Sequence, residues 1–162
     1  MSTHRTIAPG RAAAAAAGCT CSKLRRLTRR VTAVYDRALS AAGMRVTQYS
    51  LLANLRGLDG VSMSDLAGKL DMDRTTLTRN LGPLLAAGWV RVEPSPEDAR
   101  RRDVRLTPAG EAQWRAARTL WQQAQDDVKS AIGADDLATL HTLLDGCVPL
   151  FRPATGHEGE SE

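Results

Sequence analysis

Apolar positions recur every three or four residues over six stretches of this 162-residue chain, and alternate with polar positions over two short ones. The first stretch runs Leu24, Leu27, Val31, Val34, Ala38 and Ala41, with Arg25, Arg26, Arg29 and Arg30 between them, which predicts an amphipathic helix ended by Gly43. A second helix is expected from about Thr47, as N-cap, to Arg56, burying Leu51, Leu52 and Leu55. Val61-Ser62-Met63 reads as a minimal strand, and Ser64 as the cap of a short helix through Leu70 with Leu66 and Ala67 inward.

A tight turn at Asp71-Met72-Asp73 then leads into another helix, with Asp73 able to cap it. At about 100° per residue, Leu77, Leu81, Leu84 and Leu85 fall on one side of that helix and Thr75, Thr76, Arg79 and Gly82 on the other. Pro83 removes a backbone donor and crowds the carbonyl of Arg79, so a bend is expected there. Trp89–Glu93 and Asp103–Thr107 alternate apolar and polar positions and predict a hairpin. Its expected loop, Pro94 to Arg102, is longer than a hairpin needs and carries Arg100, Arg101 and Arg102.

Thr107-Pro108 is a helix start, hydroxyl first and proline at the first helical position, and the helix should continue to about Ile132 on a seam of Ala117, Trp121, Ala124, Val128 and Ala131. A last helix is expected over Asp135 to Val148, with Leu137, Leu140, Leu143, Leu144 and Cys147 on one side. The fold class that follows is mainly α with a small β-hairpin: a winged helix-turn-helix over 46–107, flanked by dimerisation helices over 19–45 and 108–148. Residues 1–18 carry no apolar period and read as a disordered arm, and 149–162 as a disordered acidic tail. Three long amphipathic helices around a small domain leave apolar seams that a homodimer would cover.

Charge sharpens this picture. The net +4 divides unevenly: residues 1–105 hold 18 of the 22 Lys and Arg but 9 of the 18 Asp and Glu, so the front is basic and the back acidic. A protein that lays one face on a polyanion has this asymmetry, and here it coincides with the outward threonines, Arg79 and the arginine loop. Double-stranded DNA is the implied partner. No apolar run approaches the ~20 residues needed to span a bilayer, and the alanine run before Gly18-Cys19 is too short and leucine-free for a leader, so a cytoplasmic protein without membrane contact is expected.

Thr47-Gln48-Tyr49-Ser50-Leu51-Leu52, Leu66-Ala67, Asp73 through Leu81, Gly88-Trp89-Val90, Asp98-Ala99-Arg100-Arg101 and Leu106-Thr107-Pro108-Ala109-Gly110, in that order, resemble the MarR family of bacterial transcriptional regulators over roughly residues 22–148. The resemblance implies a homodimer that binds a pseudo-palindromic operator, usually as a repressor, and releases it on an aromatic or oxidant signal. It places Arg74, Thr75, Thr76, Thr78 and Arg79 in the recognition helix. It also makes Asp98 and Arg100 a wing pair in which the carboxylate holds the arginine for the minor groove, with Arg101 and Arg102 adding contacts. An aromatic effector would lie between the helical and reading parts, where Tyr35, Arg45, Tyr49 and Trp114 are the candidates.

Other chemistry is sparse. Cys19 and Cys21 precede the first long helix and Cys147 ends the last, which leaves open a thiol-based redox or soft-metal sensor, and the cationic neighbours Lys23, Arg25 and Arg26 suit a thiol switch. The alternative is ordinary reduced cysteines. His4, His141 and His157 show no ligand spacing, so no metal is expected, and no cofactor. No nucleophile–base pair or phosphate loop is present, so no enzyme is expected. A winged-helix module for protein contact is the other alternative, and it would want an apolar outward side over 74–86.

Overall fold

The computed structural model describes residues 18–58, 60–96, 98 and 100–151. Six helices and a three-stranded antiparallel sheet follow in the order α1 (Thr20–Leu39), α2 (Val46–Leu55), β1 (Val61–Ser62), α3 (Met63–Lys69), α4 (Arg74–Ala86), β2 (Val90–Pro94), β3 (Arg102–Leu106), α5 (Pro108–Ile132) and α6 (Ala134–Cys147). Short 3₁₀ turns cover Ser40–Ala42 and Val148–Phe151. The expected arm therefore lies outside the described residues except for Gly18, and the tail except for its first three residues, which continue α6 as a 3₁₀ turn rather than dispersing.

The helix starts show how the chain satisfies the free amides that every helix leaves. Thr107 accepts the Gly110 N–H at 3.0 Å and Pro108 opens α5, as the sequence predicts. Asp73 likewise caps α4. Two caps differ from expectation. The hydroxyl that caps α3 is Ser62, not Ser64: it accepts the Asp65 N–H at 3.0 Å, because β1 ends there and delivers Ser62 in an extended conformation. Helix α2 begins at Val46 with Arg45 as N-cap, not at Thr47; the Val46 N–H donates to Asp36 Oδ1 of α1 at 2.8 Å and the Arg45 N–H to Gln48 Oε1 at 2.8 Å, so side chains already fill the role. Gly43, at φ +64°, ends the α1 segment in the left-handed conformation that glycine adopts without strain.

The hairpin is paired from Val90↔Leu106 to Pro94↔Arg102, and the Ser95 N–H donates to the Arg101 carbonyl, so the free loop is shorter than the nine residues expected. Strand β1 adds to the other side of β3 through Val61↔Val104 and Ser62↔Asp103, giving the order β1-β3-β2. Helix α4 continues through Pro83 to Ala86.

One core unites these pieces. Leu39, Met44, Tyr49, Leu51, Leu52, Leu55, Leu66, Leu77, Leu81, Leu84, Val90, Val104 and Trp114 are all buried in a single cluster, which joins the sheet and helices α2 to α4 to the first half of α5. Leu85, expected on the inner side of α4, is instead 41% exposed, at the margin of the buried arc of Leu77, Leu81 and Leu84. Along the second half of α5 the seam residues Ala124 and Val128 are buried against α1, while Ala131 lies outside it, exposed. Helix α6 buries no residue at all within the protomer.

Among the described residues no helix is long and apolar enough to cross a membrane.

Candidate nucleic-acid interface

Helix α4 presents the surface that the leucine spacing predicts. With Leu77, Leu81 and Leu84 held in the core, Arg74, Thr75, Thr78 and Arg79 are exposed and Thr76 is half-buried. The three threonines are not equivalent. Thr76 donates its hydroxyl proton to Asp73 Oδ2 at 2.7 Å while its N–H donates to Asp73 Oδ1 at 2.8 Å. Thr78 donates back to the Arg74 carbonyl at 2.8 Å, a bond common for hydroxyls inside helices. Thr75 is exposed, and its hydroxyl is engaged by none of the described residues. The two bonds from Thr76 hold the Asp73 carboxyl below its ordinary value near 3.8, the backbone bond contributing most.

The wing lies beside the start of this helix. Ser62, Met63, Ser64, Asp65, Arg74, Arg100, Arg101 and Arg102 line one open concavity of about 480 Å³, so four arginines from α4 and the hairpin share its wall with one carboxylate, Asp65. Arg101 Nη2 is 3.4 Å from Asp65 Oδ2. Asp98 organises the turn through the backbone: its Oδ1 accepts the Arg100 N–H at 2.9 Å and its carbonyl accepts the Arg101 N–H at 2.9 Å. The expected carboxylate grip on the Arg100 side chain is thus replaced by a grip on the Arg100 amide, which leaves the guanidinium exposed. Ser62 and Asp65 escaped sequence reasoning, although Ser62-x-x-Asp65 is a capping-box spacing that would have found both.

The root of the wing is braced by ions. Glu93 on β2 pairs with Arg91 at 2.9 Å and with Arg105 on β3 at 2.7 Å. Asp103 is buried between β1 and β2.

The effector candidates do not form one site. Tyr49 is buried and its ring stacks on Trp114 at 5.8 Å and on Trp121 at 5.4 Å, a column of core aromatics between α2 and α5. Arg56 lies 3.6 Å from the centre of the Trp114 ring and donates to Glu111 Oε2 at 2.9 Å. That bond, before all else, holds the Glu111 carboxyl below its ordinary value. Arg45 pairs with Asp36 on the surface at 3.4 Å. Tyr35 belongs to a different place, a groove of about 240 Å³ between α1, α5 and α6 with Leu27, Val31, Gln125, Leu137 and His141, and donates its hydroxyl to Gln125 Oε1 at 2.8 Å. The separation has a simple cause: the aromatics at helical spacing pack in the core, and Arg45 pairs with a carboxylate of its own. Cys19, Cys21 and Cys147 are free and exposed. No group of residues able to hold a metal occurs among the described residues.

Comparison with known proteins accords with this geometry. Residues 42–101 match the family model described as MarR family. Over 112 residues the chain is 32% identical to the multiple antibiotic resistance protein MarR of Salmonella typhimurium, covering 68% of this chain and 78% of that protein. Over 130 residues it is 31% identical to the transcriptional activatory protein BadR of Rhodopseudomonas palustris, covering 77% of this chain and 74% of that one. The crystal structure of the M. tuberculosis transcriptional regulator MosR in complex with DNA matches with a TM-score of 0.65 at 36% identity, over 80% of this chain and 98% of that chain.

Proposed function

Starting from the fact that this chain belongs to the MarR family, whose members are transcriptional regulators and not enzymes, we propose that it acts as a homodimer on a pseudo-palindromic operator, as a repressor released by a chemical signal. The family and the DNA-bound neighbour make it a DNA-binding regulator with a winged helix-turn-helix. The observation that carries the finer reading is the concavity at the start of α4: Arg74 and three wing arginines converge beside the exposed face of Thr75 and Arg79. Helix α4 enters the major groove with Thr75 and Arg79 toward base edges, while Arg100 and Arg102 reach the flanking minor groove or phosphates. Thr76, its hydroxyl proton already committed, serves chiefly to hold the Asp73 cap that keeps the helix start rigid.

A second copy covers what one protomer leaves open. Leu24 and Leu27 on α1 and Leu143, Leu144, Val148, Leu150 and Phe151 at the other end of the chain are all exposed, an apolar demand that a monomer does not meet. Two-fold pairing through these helices sets two copies of α4 on successive major grooves, about 34–36 Å apart.

Sensing through thiols is the second reading, supported by three cysteines that are free and exposed at the outer ends of α1 and α6. The test is selection of random duplexes on the purified protein, repeated with peroxide and with a panel of aromatic acids. Recovery of paired half-sites about one helical turn apart supports the dimeric operator reading, and recovery of no enriched sequence refutes it. Release by peroxide alone supports the thiols; release by an aromatic acid alone assigns the signal to a pocket instead.

A further inference from the structure

The concavity beside α4 contains an element that does not suit a simple phosphate trap. Among its four arginines stands Asp65, the third residue of α3. Its Oδ2 accepts the Ser62 hydroxyl at 2.6 Å and faces Arg101 Nη2 at 3.4 Å, while Ser62 Oγ accepts the Asp65 N–H in return. The carboxylate is therefore held in place from below by the Ser62 cap and looks into the cradle.

Capping of α3 accounts for the bond to Ser62 but not for the pairing with Arg101. The Asp65 and Arg101 side chains are 67% and 48% exposed, and an ion pair so open to water contributes little to folding. Its electrostatic effect on an incoming polyanion is another matter. A carboxylate here lowers the attraction of the cradle for any phosphate and occupies a guanidinium that would otherwise be free to take one.

We infer that Asp65 is a specificity-determining residue for DNA binding: its carboxylate stands in for a backbone phosphate within the cradle of Arg74, Arg100, Arg101 and Arg102, and is displaced from Arg101 only when the duplex is fully seated. The inference rests on the DNA-binding reading above. On an operator, α4 settles into the major groove, a phosphate reaches Arg101 and the weak internal pair is exchanged at little cost. On other sequences α4 does not seat, Arg101 stays with Asp65, and the carboxylate repels the nearest phosphate. Loose binding is weakened more than specific binding, which is what discrimination requires.

The experiment is Asp65→Asn in the full chain, a substitution that keeps the size of the side chain and an oxygen for the Ser62 hydroxyl. Affinities for a selected operator and for a non-operator duplex of equal length are measured by fluorescence anisotropy over a range of salt, with a urea midpoint to show an intact fold. Non-operator binding should tighten about three- to tenfold and operator binding change by less than about twofold. The plot of log affinity against log salt for the non-operator duplex should steepen by about one unit per protomer. Adding Arg101→Gln should remove most of that gain. Unchanged non-operator affinity, equal tightening on both duplexes, or weakening on both would each overturn the inference, the last by making Asp65 only a brace for the wing. A parent protein that binds no duplex would instead overturn the DNA-binding reading itself, so the two failures are distinguishable.

Discussion

Gly110 offers a sharp test of how the reading domain is joined to the long helix. It is buried in the first turn of α5, and a Cβ built there would run into the carbonyl of Trp89 and the side chain of Leu106. That carbonyl is pinned, because it accepts the Thr107 N–H at 3.0 Å and lies 3.0 Å from the Thr107 hydroxyl, which is also 2.7 Å from the Gly88 carbonyl. Gly110→Ala must therefore push the backbone ahead of β2 away and strain these bonds. Overpacking costs about 1–3 kcal/mol and each weakened bond about 1 kcal/mol, against a gain of about 0.5–1 kcal/mol for alanine in a helix. The net loss is about 2 kcal/mol, which with a urea dependence of about 2 kcal/mol per M lowers the unfolding midpoint by roughly 1 M. Gly68→Ala in α3 is the matched control: nothing lies within 4 Å of its Cβ position and its φ is not positive, so the same exchange should stabilise by about 0.5 kcal/mol. Both are measured at one fixed protein concentration, since assembly contributes to stability. If Gly110→Ala shifts the midpoint upward alongside Gly68→Ala, the close approach at Trp89 is not what holds the hairpin to α5.

Three further outcomes follow from the same geometry. Arg100→Ala should weaken operator binding at least about tenfold and flatten its salt dependence by nearly two units per dimer, both readable by anisotropy; an unchanged slope removes Arg100 from the interface. Asp73→Ala should destabilise at neutral pH, and because the native carboxyl is held below its ordinary value near 3.8, its contribution is present above that pH and fades as pH falls through the native value. Parent and variant should accordingly converge in acid, as followed by circular dichroism. Leu143→Glu, at a residue 61% exposed and so outside the protomer core, should halve the mass seen by light scattering and abolish operator binding at the concentrations where the parent is saturated.

Much of the fold could be read from periodicity. The limits of α5, the Asp73 and Thr107 caps and the two strands followed from local rules, because each rests on residues within a turn of one another. What escaped was non-local. The N-cap of α2 falls two residues early because Asp36, ten positions upstream on α1, takes the Val46 N–H, and no local rule points there. Arg101 meets Asp65 across 36 positions. The reading face was visible because Leu77, Leu81 and Leu84 mark its opposite side, yet the wheel could not say that Leu85 misses the core or that Thr76 turns its hydroxyl onto Asp73. Tyr49 and Trp114 illustrate the hardest ambiguity: a pattern of aromatics is the same whether they stack on one another or stand apart, and the stacking at 5.8 Å is visible only in the structure.

Helix α5 runs unbroken for 25 residues, about 37 Å, with its first turn fastened to the hairpin through Thr107 and Trp89 and its far half laid against α1. A rigid rod fastened in this way is a lever. Tilting its far end by about 5° sweeps the wing end through about 3 Å, close to the rise between neighbouring bases along a strand of DNA. On this geometry, a displacement too small to disturb packing at the apolar end is magnified to several ångström at the arginine-bearing hairpin.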